Sequence, residues 1–174
     1  MARNVELKAR IDSVEAMLSR ARTLADDPLQ VIEQDDTFFA CSSGRLKLRD
    51  FGDGRGELIH YQRADSTAAK LSDYICAPTD DPAPLREALT RGLGLLGRVR
   101  KTCWLLLAGQ TRIHLDRVEG LGDFVELEVV LREDQTEQDG TAIADALLAQ
   151  LGVATTQRLA GAYLDLLGRP RVQR

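Results

Sequence analysis

The sequence is short of cysteine, of long apolar runs and of net positive charge, and each shortage removes a class of protein. Three cysteines, Cys41, Cys76 and Cys103, are odd in number, widely separated and outside any CxxC or Cys/His ligand spacing. Reduced thiols are therefore expected rather than a disulfide framework. No apolar stretch approaches the roughly 20 residues that a membrane-spanning helix needs, so no membrane association is expected. The formal net charge of −4 lacks the positive field on which bulk nucleic-acid binding rests. Bases gathered inside a cavity would not register in that sum. Met1-Ala2-Arg3-Asn4 runs directly into a strand pattern with no apolar signal core or transit-peptide character, and a cytoplasmic location is expected. Internal repeats and low-complexity tracts are also missing. A chain of 174 residues, 44% hydrophobic and 29% charged, fits one globular domain over residues 1–174.

What the sequence does have is alternation. In residues 3–10, Asn4, Glu6, Lys8 and Arg10 share one face of a strand while Val5, Leu7 and Ala9 share the other. Asp12, with Glu15 three residues on, offers a cap for an amphipathic helix carrying Val14, Met17, Leu18, Ala21 and Ala25. Residues 29–40 have strand character and hold Asp36 and Phe38 two apart. Arg45, Lys47 and Arg49 alternate with Leu46 and Leu48. The glycines of Gly52-Asp53-Gly54-Arg55-Gly56 then suit a tight hairpin, whose return strand puts Glu57, Tyr61 and Arg63 on one side. Residues 64–70 read as a loop and 71–76 as a short strand. A helix is expected from Pro82 to Leu93, with proline at its start and glycines past its end. Strands resume at Val99–Leu105, Arg112–Asp116 and Phe124–Val129, the last placing Phe124, Glu126 and Glu128 opposite Val125, Leu127 and Val129. A helix over 139–151 stops at Gly152, and Ala162–Leu167 forms a short terminal turn.

Any one of these strands is explained by an antiparallel sheet with a wet face and a dry face. The chemical sorting among them is not. Carboxylates (Glu6, Asp116, Glu126, Glu128) come from one set and bases (Lys8, Lys47, Arg49, Arg63, Lys101, Arg112) from another. A triphosphate needs both: cationic donors for its oxygens, and carboxylates for the hard divalent ion that bridges them. If the sheet closes into a barrel, the charged faces converge on a polar tunnel and the apolar faces turn outward beneath helices. An open sheet covered on one side would show the same periodicity. His114 reads as a hydrogen-bonded structural residue in preference to a proton shuttle, and Trp104 as packing on the face away from Lys101.

The segments Val5–Lys8, Gly44–Arg49, Val99–Lys101 and Arg112–Asp116 through Gly122–Glu128 resemble, in this order, the CYTH family, also called the triphosphate tunnel metalloenzymes. The resemblance covers nearly the whole chain and implies a single CYTH-like domain of the α+β class: a closed antiparallel barrel of about eight strands with helices packed outside. It implies a metal-dependent enzyme of the class IV adenylate cyclase kind, turning ATP into cAMP and pyrophosphate. The alternatives are a triphosphatase acting on inorganic, thiamine or nucleoside triphosphate, or a weakened triphosphate-binding module. On the matching positions Glu6, Glu126 and Glu128 are expected to hold Mg²⁺ or Mn²⁺. Lys8, Lys47, Arg49, Arg63, Lys101 and Arg112 are expected to contact substrate, with Lys8, Arg112 and Asp116 closest to the chemistry. The expected partner is a triphosphate-containing small molecule, with no nucleic acid or membrane; a homodimer is compatible with such a barrel. Three positions depart from the family pattern. Asn4 stands at the first acid of the ExExK signature, Cys103 where a phosphate-binding arginine is expected, and Ala162 where serine is usual. Losing that guanidinium is expected to cost about 2 to 5 kcal/mol of anion or transition-state binding.

Overall fold

A computed structural model describes residues 2–168. The elements run β1 (Ala2–Arg10), α1 (Val14–Arg22), β2 (Gln30–Phe39), β3 (Arg45–Asp50), β4 (Gly56–Arg63), β5 (Lys70–Thr79), α2 (Pro82–Leu93), β6 (Leu95–Ala108), β7 (Thr111–Val118), β8 (Gly122–Val130), α3 (Glu137–Gln150), β9 (Arg158–Leu159) and α4 (Tyr163–Leu166). The sheet order is β5-β4-β3-β2-β6-β7-β8-β1-β9, and β1 also pairs with β5. That last pairing, Asn4 against Ser72 and Glu6 against Lys70, closes eight antiparallel strands into a barrel. β9 is an additional strand that pairs with β1 at Lys8 and Ala9. Closure leaves the eight strands no bare edge to aggregate through, and it forces alternate side chains of every strand into one interior.

The apolar half of each alternation faces out, as the tunnel reading requires. Val5, Leu7, Ala9, Ile113, Leu115, Val125, Leu127 and Val129 are buried with Val14, Met17 and Ala21 of α1 and Ala144 and Leu148 of α3. The main core thus lies between the barrel wall and its helices, and the interior is left to polar groups. A smaller cluster of Phe38, Val99, Val118, Phe124, Tyr163 and Leu164 packs α4 against one end of the barrel. No described helix is long and apolar enough to cross a membrane.

Local details depart from the sequence expectation in ways with physical causes. The cap of α1 is Ser13, not Asp12: its side chain accepts from Ala16 N–H, and Asp123 Oδ2, near the start of β8, accepts from Val14 N–H at 2.8 Å. β6 begins at Leu95 rather than Val99: Gly94 (φ 89°) ends α2, whereas Gly97 simply continues the strand opposite Phe38. β5 is longer than 71–76 because its far half pairs with β4, from Cys76 on Ile59 to Thr79 on Gly56.

α3 approaches the barrel most closely at Gly140, where a Cβ would lie 2.6 Å from Val5 Cγ2 and 2.7 Å from Leu131 Cδ2. Helix propensity favours alanine over glycine by about 1 kcal/mol, but such contacts require β1 or α3 to shift. Gly140→Ala is therefore expected to lower stability by about 1 to 3 kcal/mol, measured by urea denaturation. An unchanged or raised midpoint would show that α3 does not seat where described.

Candidate functional site

The barrel interior encloses a cavity of about 360 Å³. Among the described residues its wall carries six cationic side chains, Lys8, Lys47, Arg49, Arg63, Lys101 and Arg112, and five carboxylates, Glu6, Asp36, Glu57, Glu126 and Glu128. Asp116, fully buried, stands in the wall behind Lys101. Every substrate, metal and catalytic position expected from the sequence is thereby brought to one place, although the strands that supply them span most of the chain.

Strand order fixes how the charges are distributed. In the register of β1, β7 and β8, Glu6 and Arg112 flank Glu128, while Lys8 and His114 flank Glu126. Carboxylate oxygens of Glu6, Glu126 and Glu128 lie within 4.8 Å of one another. Across the barrel from β8 is β3, with Lys47 and Arg49. An acidic wall therefore faces a basic one.

Buried charge of this density must be compensated internally, and the pairings are specific. Asp36 takes Lys47 Nζ at 2.8 Å and, through both its oxygens, the Arg49 guanidinium, also at 2.8 Å. Burial alone would raise the Asp36 pKa, yet these two cations hold it far below the usual carboxylate range. Lys101 donates to Asp116 Oδ2 at 2.6 Å, and Tyr163 OH donates to the same oxygen at 2.8 Å. On the acidic wall, Arg63 binds Glu6, Arg112 Nε meets Glu128 Oε2 at 2.7 Å, and Lys8 Nζ lies 3.6 Å from Glu126 Oε2. Burial raises the Glu6 pKa, and the charges of Glu126 and Glu128 push the same way against Arg63. Glu126 is held down to about 2 because Lys8 and Arg63 outweigh its burial. Burial lowers Lys8 to about 8, only partly offset by Glu126.

Residues 2–163 match the CYTH domain family. The chain belongs to the CYTH family. Solved structures of the same fold include a Pyrococcus horikoshii protein (23% identity, TM-score 0.83, covering 94% of this chain and 98% of that one). Another is a Vibrio parahaemolyticus protein proposed to be an adenylate cyclase (18% identity, TM-score 0.75, 95% and 97% covered). A third is a Hippeastrum protein, proposed as an adenylyl cyclase and described as having a dominant triphosphatase activity (14% identity, TM-score 0.66, 99% and 98% covered). No curated protein matches the chain.

The CYTH acids on β1 and β8 suit a hard divalent ion. All three donors are carboxylates, which Mg²⁺ and Mn²⁺ prefer, and they repel one another strongly enough to influence Glu6. Asn4 departs from the family's acid, but it lines the same cavity two residues before Glu6, and its buried Oδ1 has no hydrogen-bond partner among the described residues. An amide oxygen is a weaker but competent ligand for the same class of ion.

Two positions behave differently from their sequence reading. Arg45 alternates with Lys47 and Arg49 but turns to Asp165, Nη2 to Oδ2 at 2.6 Å, and leaves the tunnel. Cys103 points inward as parity requires, yet it is fully buried and in contact with His114, Sγ to Nδ1 3.3 Å. It does not reach the cavity, whereas His114 does. Asp36 was not among the expected site residues. The available signal was that it shares a strand face with Phe38 and lies opposite Arg49 in register.

Asp36 holds two cations that would otherwise face each other unpaired in the cavity wall. Asp36→Asn leaves both underpaired in a buried site, so stability of the free protein should fall by about 3 to 5 kcal/mol. Tripolyphosphate should restore more of the melting temperature in this variant than it adds to wild type. Equal ligand-induced shifts in the two proteins would dissociate Asp36 from the anion site.

Proposed function

We propose that this protein is a metal-dependent enzyme that binds the triphosphate of an organic substrate inside the barrel, with cyclisation of ATP to cAMP and pyrophosphate as the leading reaction. The observation that carries the reading is the opposition, across one closed barrel, of the Glu6–Glu126–Glu128 cluster and the Lys47–Arg49 pair. A linear triphosphate with a divalent ion on one side presents the same two chemistries. The cavity also has an uncharged stretch formed by Ile32, Phe51 and Leu105. It lies toward the end opposite α4, since Phe38 and Val99 on the same two long strands pack with Tyr163 at the other. An organic group attached to the triphosphate can rest there, which supports a nucleotide over inorganic triphosphate.

Glu6, Glu126 and Glu128 would hold the ion, which when bound supplies charge neutralisation on the phosphate oxygens. Lys47, Arg49, Lys101 and Arg112 bind the remaining oxygens and fix the chain in line, and catalysis by positioning and charge stabilisation needs no covalent nucleophile. Cyclisation forms a bond from the 3′-oxygen to the α-phosphorus, breaks the bond to the β-phosphate bridge and releases pyrophosphate as the hydroxyl proton is lost. Asp116, held by Lys101 and Tyr163, keeps the Lys101 ammonium aimed from the wall. Hydrolysis is the second reading: the same lining would orient water on the terminal phosphorus. The Vibrio and Hippeastrum neighbours support one reading each by what they are said to do.

Incubation with ATP, tripolyphosphate or thiamine triphosphate plus Mg²⁺ or Mn²⁺, followed by product separation, decides between them. cAMP with pyrophosphate supports the leading reading and orthophosphate the second. Tight binding without any product eliminates both. Arg49→Ala is expected to reduce the surviving activity about 100-fold or more.

Lys8 gives a pH signature. With its pKa near 8, it is cationic below that pH and neutral above it. Tripolyphosphate affinity, measured by calorimetry in EDTA, should therefore fall as pH rises from 7 to 9, by at most about tenfold per unit. Lys8→Arg, charged throughout, should flatten the profile; identical profiles in both proteins would remove Lys8 from the anion site.

A further inference from the structure

A second cluster of metal-ligating atoms lies in the tunnel wall, adjoining the three glutamates where His114 meets Glu128. Cys103 on β6 and Asp116 on β7 are direct cross-strand partners, and His114 is the next residue of β7 on the same face. One ligand atom from each lies within 4.8 Å of the other two, and all three residues are buried. Sγ of Cys103 and Nδ1 of His114 are 3.3 Å apart, close to the separation of two ligands on one tetrahedral ion whose bonds are about 2.0 to 2.3 Å.

Two further observations point to a ligand. Asp116 Oδ2 is occupied by Lys101 and Tyr163, but Oδ1 is buried and has no hydrogen-bond partner among the described residues. His114 Nε2 is likewise without a hydrogen bond, yet it lies 3.3 Å from Glu128 Oε2. This is the arrangement of a histidine that ligates through one ring nitrogen while a carboxylate orients the other.

We propose that Cys103, His114 and Asp116 form a binding site for a borderline ion of the Zn²⁺ type. Thiolate and imidazole select such an ion over Mg²⁺ and Mn²⁺, which the all-oxygen glutamate set favours. The two sites are thus distinguished by chemistry as well as position. Three protein ligands leave a tetrahedral ion one open position. His114 lies on the cavity wall, so an ion entering by the cavity reaches the cluster and adds positive charge next to Lys101. The site does not rest on the triphosphate reading, and it stands or falls separately.

The test uses full-length protein carrying Cys41→Ser and Cys76→Ser, which removes the two other thiols. Titration with Co²⁺ should give thiolate-to-cobalt charge-transfer absorption and the visible bands of a tetrahedral ion, and the charge-transfer band should saturate at one ion per chain. Zn²⁺ should abolish these signals stoichiometrically, and excess Mg²⁺ should not. Cys103→Ser should remove the charge-transfer band. His114→Gln should weaken Zn²⁺ binding by at least about 100-fold, the upper end of the cost of losing a mere supporting contact to a ligand. Glu6→Gln should weaken Mn²⁺ binding and leave the cobalt spectrum intact. Absence of the thiolate band in the parent protein overturns the proposal whatever the variants do. So does Zn²⁺ binding that survives Cys103→Ser unchanged, or a cobalt spectrum lost in Glu6→Gln.

Discussion

The structure depends on charge neutralisation inside a closed barrel. An isolated charge in a low-dielectric interior costs several kcal/mol, and this interior carries six cations. They are tolerated because each is set against a carboxylate supplied by a strand beside it or one further round. Asp36 serves Lys47 and Arg49, Asp116 serves Lys101, Glu128 serves Arg112, and Glu6 and Glu126 share Arg63 and Lys8. The apolar faces are left for the outside, which explains why α1 and α3 are needed: without them the Val5, Leu127 and Val129 rows would meet water. The inverted distribution of polarity and the presence of helices are one requirement seen from two sides.

That neutrality also shapes binding. Each cation a polyanion would use is already engaged, so a ligand must exchange one set of ion pairs for another rather than fall onto free charges. Exchange is easiest where the existing partner is mobile or crowded. Glu6 meets that condition, because its charge is opposed by burial and by two neighbouring glutamates. Asp36 does not, because two cations grip it from an adjacent strand. The acidic wall is therefore the side where an incoming cation relieves strain, and the basic wall is the side that stays preformed.

Much of this was legible in the sequence because a strand's period is 2. In Lys47–Arg49 and Phe124–Val129 the alternation is unbroken, and parity alone assigns each side chain to the inside or the outside. Closure was not legible in the alternation, since Glu6 facing a tunnel and Glu6 facing water produce the same pattern; the family resemblance implied it, and the pairing of β1 with β5 shows it. The sequence does not assign Asp36 to the site because β2 carries adjacent acids, Asp35 and Asp36, which parity sends to opposite faces. Asp35 binds Arg98 and Arg100 outside, and Asp36 binds Lys47 and Arg49 inside. The start of β6 was misplaced because Gly94 and Gly97 look alike in one dimension, whereas only Gly94 takes a positive φ.

Cys103 shows where parity stops being informative. The side-chain period states which way a residue points, but not what lies over it. His114, two residues along the neighbouring strand from Asp116, the register partner of Cys103, covers the thiol and takes its place on the cavity wall. A guanidinium at 103 would have to pass this imidazole to reach an anion, so the departure from the family pattern at Cys103 cannot be read as a simple deletion of charge. Where the CYTH pattern leads one to expect a guanidinium, Cys103 and His114 set a thiol and an imidazole beside a carboxylate oxygen with no hydrogen-bond partner among the described residues, and an ion held there would determine the charge of that stretch of tunnel.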